Sequence, residues 1–212
     1  NVEAPTASMF RQLSGRKDFE RDIVRPIKHI SRLTQRGKKF SRVKQTTQFI
    51  VGAAQESDRQ IAEATFGLYR RLGLERVYYT AYQRGLGNPA LPGECAAPAD
   101  PHDMLTREHR LYQMDYLLRK YRWGLGDLSF GEDGNFSRDT DPKQAWADAH
   151  PDFFPVCLRT AGENTLLRVP GLGPTYARRI VQTRREGILR NLKDLGLCGK
   201  NLAKVQRYVV LD

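Results

Sequence analysis

The sequence predicts an α/β fold with a small parallel sheet, followed by a small all-helical domain. Three observations carry that prediction. Two short runs, TTQFIVGAA (46–54) and ERVYYTAYQ (75–83), are rich in β-branched and aromatic residues. The stretch between them, ESDRQIAEATFGLYRRLG (56–73), spaces its apolar residues as a helix does. Beyond residue 155, short helical segments are separated by Gly- and Pro-containing turns. Strand, helix, strand with buried-looking strands is the pattern of parallel pairing, because a helix is the usual crossover between parallel strands.

Taken in order, NVEAPTAS (1–8) reads as the end of a strand running into a loop. Phe19, Ile23, Ile27, Ile30 and Leu33 predict a helix over 18–36, kinked at Pro26. The run 46–54 lacks alternation, which predicts a strand buried on both faces. The helix over 56–73 has Ser57 as its N-cap and Gly73 just past its end. Val77, Tyr78, Tyr79 and Tyr82 mark the second strand. There are too few strand–helix units to close a barrel. In such sheets the working residues sit at the C-terminal ends of strands, here Asn1–Glu3, Gly52–Glu56 and Thr80–Arg84. Residues 84–106 are Pro- and Gly-rich and read as one long loop, functional or mobile. A helix over 107–123 follows, then a polar connector over 124–141. Asp141 before Pro142 caps a short helix that Lys143 solvates, and HPDFFP (150–155) ends it. The expected organisation is an α/β part with its loop over 1–105, a helical linker over 106–155 and a helical domain over 156–212.

The chain of 212 residues carries a net charge of +11, and the charge is segregated. Residues 1–48 contribute +8, residues 49–155 contribute −4 and residues 156–212 contribute +7. Two basic ends around an acidic middle point to a polyanionic partner, although the N-terminal charge equally suits solvated helix faces. Cys95, Cys157 and Cys198 are far apart and form no CxxC pair, so neither a disulfide framework nor a zinc site is predicted. No apolar run is long enough to span a bilayer and no secretory leader is seen, so a cytoplasmic protein with no membrane partner is expected.

LLRVPGLGPTYARRI (166–180) is the most informative stretch. Pro170 ends one short helix, Gly171 and Gly173 permit unusual backbone angles and close approach, and Pro174 starts the next helix. The start of that helix offers unpaired N–H groups and the positive end of a dipole. Arg178, Arg179, Arg184 and Arg185 add charge along it. The stretch resembles the helix-hairpin-helix motif, which holds the sugar-phosphate backbone without reading bases. That resemblance makes Val169, Gly171, Leu172, Gly173, Thr175, Arg178, Arg179 and Arg184 the DNA-binding set. A second short helical pair over 191–208 would complete the domain.

TTQFIVGAAQESD (46–58), RVYYTAY (76–82), REHRLYQMDYLLRKY (107–121), DPKQAWA (141–147) and LLRVPGLG (166–173) occur in this order. Together they resemble the C-terminal half of the DNA modification/repair radical SAM proteins. The resemblance implies a partial TIM-type half-barrel, S-adenosylmethionine and a [4Fe–4S] cluster as cofactors, and a helix-hairpin-helix that binds DNA. It also implies a uracil-DNA-glycosylase-like partner. NVEAPT matches the family's Asn-x-Glu-x-Pro stretch, which makes Asn1 and Glu3 cofactor contacts. The family's cluster-binding CxxxCxxC is not in this sequence, so the chain is expected to be the C-terminal portion of a longer enzyme, or a derivative that keeps only scaffold and DNA binding.

Further candidates carry alternatives. Glu56 and Asp58 sit just past a strand end, where carboxylates can hold a ribose hydroxyl or an amine, or simply favour the helix dipole. Arg107, Glu108, His109, Tyr112, Gln113 and Asp115 crowd polar groups onto a short helical stretch. They either position a substrate, for which Arg107, His109, Tyr112 and Gln113 are the candidates, or tie the helix to the sheet. Asp194 lies downstream of the hairpin as a catalytic Asp does in helix-hairpin-helix glycosylases, but without the Gly/Pro-rich turn that precedes it there.

Overall fold

The computed structural model describes residues 1–85, 88–95 and 100–211. It is mixed α/β and forms two compact units. The first comprises Asn1–Asp115, Gly124–Gly126 and Phe130–Asp139, and the second Tyr116–Trp123, Asp127–Ser129 and Thr140–Asp212. No helix among the described residues is long and apolar enough to cross a membrane.

In the first unit, β1 (Thr46–Val51) and β2 (Arg76–Ala81) pair in parallel, Thr46 opposite Arg76 through Val51 opposite Ala81. Helix α3 (Asp58–Leu72) crosses between them. Its ends are set by local chemistry. Ser57 and Gln60 form a capping box, and Gly73 takes the left-handed conformation at φ 64° that ends a helix without a Cβ clash. The N-terminal segment joins β1 through a parallel bridge between Glu3 and Phe49, with Glu3 N–H donating to Gln48 O at 3.0 Å and Ile50 N–H to Glu3 O at 2.9 Å. One face of the sheet is core: Thr47, Phe49, Val51, Val77 and Tyr79 are buried. The other face is partly open, with Tyr78 exposed. The expectation of strands buried on both faces is corrected here. Helices α3 and α5 (Pro101–Lys120) cover one face and leave Gln48, Ile50, Tyr78 and Thr80 less enclosed.

Three element boundaries differ from the sequence reading. Ala7–Leu13 forms a helix, α1, capped by Thr6, so the loop expected at the end of residues 1–8 gives way to a helix from Ala7. The predicted kinked helix near Pro26 is a π-helical stretch, Phe19–Val24, running into α2 (Arg25–Thr34) with Pro26 in its first turn. The helical run is continuous here, with Arg25 N–H bonded to Glu20 O five residues back, and Pro26, which has no N–H to give, follows directly on this wider π turn. The long loop contains the short helix α4 (Pro92–Cys95), and α5 starts six residues before the predicted position. Residues 86–87 and 96–99 of that predicted loop lie outside the described residues.

The second unit is built on a core of Val156, Leu158, Leu166, Val169, Leu172, Ala177, Ile180, Leu195 and Val205. Helix α6 (Pro142–Ala149) is capped by Asp141, whose carboxylate accepts from Gln144 N–H at 2.9 Å. Helices α7 (Glu163–Leu166), α8 (Pro174–Arg185) and α9 (Gly199–Gln206) follow, with a 3-10 turn over Leu192–Leu195 before α9. The all-helical expectation for 156–212 is corrected by a parallel ladder of β3 (Val156–Cys157) with β4 (Val209–Val210). That pairing joins residues more than 50 apart in sequence, so no local signal announces it.

Candidate functional site

In the second unit the chain turns between α7 and α8 through Val169–Pro174. Val169 and Leu172 point into the core and anchor the turn from below. Leu172 N–H closes onto Val169 O at 3.0 Å. Helix α8 then begins without a side-chain cap, since Gly173 has no hydroxyl or carboxylate to offer. Among the described residues, the N–H groups of Gly173, Thr175 and Tyr176 find no acceptor. Ala177 N–H is the first to be satisfied, by Gly173 O at 2.9 Å. Three open donors at the positive end of a helix dipole suit an anion.

The basic residues of α8 divide. Thr175, Arg178 and Arg179 lie on the surface beside the open donors. Arg184 instead turns inward and donates to Leu158 O at 3.1 Å and Ala161 O at 2.6 Å, joining α8 to the segment before α7. The two glycines also differ. Gly171 lies at φ 87°, and a Cβ built there would come within 2.8 Å of Val205 Cγ2 and 2.9 Å of Asn201 Oδ1. Its smallness therefore serves the contact with α9. At Gly173 a Cβ would meet only Tyr121 Oη at 3.4 Å, an ordinary contact.

Beneath the turn, Lys143 is buried and donates from Nζ to Leu172 O at 2.5 Å. Its ammonium lies 4.7 Å from the centre of the Tyr121 ring. Burial pushes its pKa down to about 7, against the pull of Asp141, with Lys204 and Arg168 lowering it further. The solvated Lys143 expected from the sequence is corrected here, because the hairpin covers α6 and nothing local signals that cover. Asp194 caps the 3-10 turn, its Oδ2 accepting from Arg190 N–H at 3.0 Å and Asn191 N–H at 2.8 Å.

In the first unit a cavity of about 500 Å³ opens at the C-terminal ends of β1 and β2. Gly52, Gln55, Thr80, Gln83, Met104 and Glu108 are among its lining residues. Gly52 is needed at φ 87°, where a Cβ would stand 2.8 Å from Met104 Cε. Arg107 reaches the wall of this cavity but is committed elsewhere: its guanidinium donates to Asp58 Oδ1 at 2.6 Å and lies 3.7 Å from Glu56 Oε1. Glu56 in turn accepts from the N–H groups of Gly52 and Ala54, which fixes the turn after β1. Asp58 also accepts from Phe136 N–H at 2.9 Å and pairs with Arg138 at 3.5 Å.

The polar residues of α5 do a job that the sequence leaves open. The N–H groups of β2 that face away from β1 are taken by side chains. Val77 donates to Tyr69 Oη at 2.8 Å, Tyr79 to Tyr112 Oη at 3.2 Å and Ala81 to Glu108 Oε2 at 2.7 Å. Tyr112 also donates back to Tyr79 O at 3.0 Å, and Tyr69 donates to Asp115. Gln113 accepts from Arg110 at 3.0 Å, while His109 is exposed. Of the other sequence candidates, Asn1 is exposed with its amide 3.5 Å from Gln48 Oε1, and Glu3 lies at φ 64° in its bridge. Asn1, Glu3 and Glu56 are not among the described residues lining the cavity.

Comparison with known protein families, with curated proteins and with solved structures finds no match.

Proposed function

We propose that the second unit holds the phosphate backbone of DNA without reading sequence. In this reading α7, the Val169–Pro174 turn and α8 act as a helix-hairpin-helix. The observation that carries it is the uncapped start of α8: three open backbone donors next to surface Thr175, Arg178 and Arg179. Phosphates would accept from Gly173, Thr175 and Tyr176 N–H, with the two arginines completing the charge. Val169 and Leu172 shape the site from inside, while Arg184 ties the far end of α8 to the segment before α7.

The first unit is read as part of a TIM-type half-barrel in a DNA modification or repair protein of the radical SAM kind. Support comes from the parallel pair, from α3 and α5 packed on its buried face, and from a cavity at the strand ends. The cavity's size and its mix of amide, hydroxyl and carboxylate groups beside Met104 fit an adenosyl-sized molecule, S-adenosylmethionine in this reading. Gln55, Thr80 and Gln83 would hold its polar atoms. A [4Fe–4S] cluster does not fit the residues of this chain. Cys95 belongs to the first unit, Cys157 and Cys198 to the second, and no three metal-ligating side chains gather among the described residues. The second reading is a DNA-binding scaffold without its own catalysis.

The test is fluorescence anisotropy of the full chain with duplex oligonucleotides of unrelated sequence across a salt series. Affinity should be the same for each sequence and fall with a log–log slope of about −0.9 per phosphate contacted. The double change Arg178→Ala/Arg179→Ala should flatten that slope. Absent, salt-insensitive or sequence-specific binding would refute the reading.

A further inference from the structure

A second charged surface lies in the first unit, from the last turn of α2 onward. Residues 32–44 carry Arg32, Arg36, Lys38, Lys39, Arg42 and Lys44 and no carboxylate. Lys44 pairs with Glu75 at 3.3 Å; among the described residues the other five pair with none. The segment is not loose. Lys38 N–H bonds to Gln35 O at 3.0 Å, Ser41 to Lys38 O at 3.1 Å and Val43 to Phe40 O at 2.9 Å, three successive turns of which the first has Gly37 at φ 85°. These turns hold Phe40 out: it is 45% exposed, with Lys39 Nζ 5.6 Å from its ring centre. Arg32, Leu33, Gln35, Lys38, Lys39 and Phe40 line a groove of about 490 Å³.

An exposed aromatic ring set among unpaired cations is the composition of a stacking platform for unpaired bases: the ring takes a base face and the cations take the phosphates. A membrane-surface helix would instead keep its apolar stripe opposite its charges. Here Phe40 stands between Lys39 and Arg42 on irregular turns, and duplex DNA offers no base face to it. We propose that residues 32–44 bind single-stranded nucleic acid, with Phe40 stacking on a base and Arg32, Lys38 and Lys39 contacting phosphates. This does not rest on the hairpin reading.

The experiment titrates the full chain against a labelled oligothymidylate of about 16 nucleotides and against a duplex of the same length. Phe40→Ala should weaken single-strand binding about tenfold, and Phe40→Trp should restore it, because stacking on an aromatic face is sequence-tolerant. Lys38→Gln and Lys39→Gln should each lower the single-strand salt slope by about 0.7. All these positions are surface side chains, so circular dichroism should be unchanged. Equal affinity of Phe40→Ala and the unaltered chain for the oligothymidylate would overturn the proposal. So would loss, in these variants, of binding to phosphatidylserine-containing vesicles with oligonucleotide binding untouched. Failure of the Arg178/Arg179 variant to alter duplex binding would sink the hairpin reading alone and leave this one standing.

Discussion

Helices α3 and α8 both begin after a turn, and their first turns are treated in opposite ways. At α3 the donors are consumed inside the protein: Ser57 accepts from Gln60 N–H, Gln60 returns the bond, and Asn135 Oδ1 takes Asp58 N–H at 3.0 Å. The edge of β2 repeats the pattern, with Tyr69, Tyr112 and Glu108 closing its donors. At α8 the donors are left open beside surface arginines. Closed polar groups build the first unit; open ones in the second unit are where a ligand would supply the missing acceptor.

The contrast breaks most severely at Asp58. Asp58→Ala leaves buried Arg107 with only the more distant Glu56 carboxylate and takes the acceptor from Phe136 N–H, and loss of one partner of a buried pair costs about 3–5 kcal/mol. Urea denaturation followed by tyrosine and tryptophan fluorescence should show the first unit melting early. In the second unit, Gly171→Val sets a Cβ against Val205 at a backbone angle that L residues rarely adopt. Overpacking of this kind costs about 1–3 kcal/mol. Thermal melting should therefore fall before any effect on DNA can be assigned to lost contacts, so Gly171 is the wrong glycine with which to probe binding.

Lys143, buried beneath the hairpin, makes stability depend on pH. Its pKa is about 7 in the folded chain against 10.5 for a free lysine side chain, so between these limits the unfolded chain binds more protons. Stability should rise with pH across that window and be flat below it. Tyr121, raised to about 12 mainly by burial, works the other way only above pH about 10. Differential scanning fluorimetry from pH 6 to pH 10 should show the rise, and Lys143→Met should remove it.

The smallest change in stability and the most pointed test is Gly173→Asp. Its φ of −99° accepts any residue, and an aspartate there can cap α8 from within. Stability should stay level or gain a few tenths of a kcal/mol, the usual difference between Gly and a good N-cap. DNA affinity should drop, because the donors are now occupied and a negative charge faces the phosphates. Unchanged affinity by anisotropy would show that the open donors are not the contact.

Features set by neighbours in the chain were legible in the sequence. Ser57, Gln60 and Gly73 fix α3, and Asp141 with Pro142 fixes the start of α6, because caps act over one turn. The Pro-Gly-Leu-Gly turn and the helix after it were legible for the same reason. What the sequence could not divide was the crowd of polar residues on α5. Glu108, Tyr112 and Asp115 close the sheet edge only because the fold lays that face along β2, whereas His109 stays outside. Local chemistry thus determined both ends of α3, the starts of α6 and α8 and which turn offers donors. Tertiary packing decided which of those polar groups are used up: it buried Lys143, turned Arg184 inward, pressed Gly171 against α9 and left Arg178 and Arg179 on the surface. Whether a donor or a charge is free depends on what lies across from it, and that partner is distant in sequence.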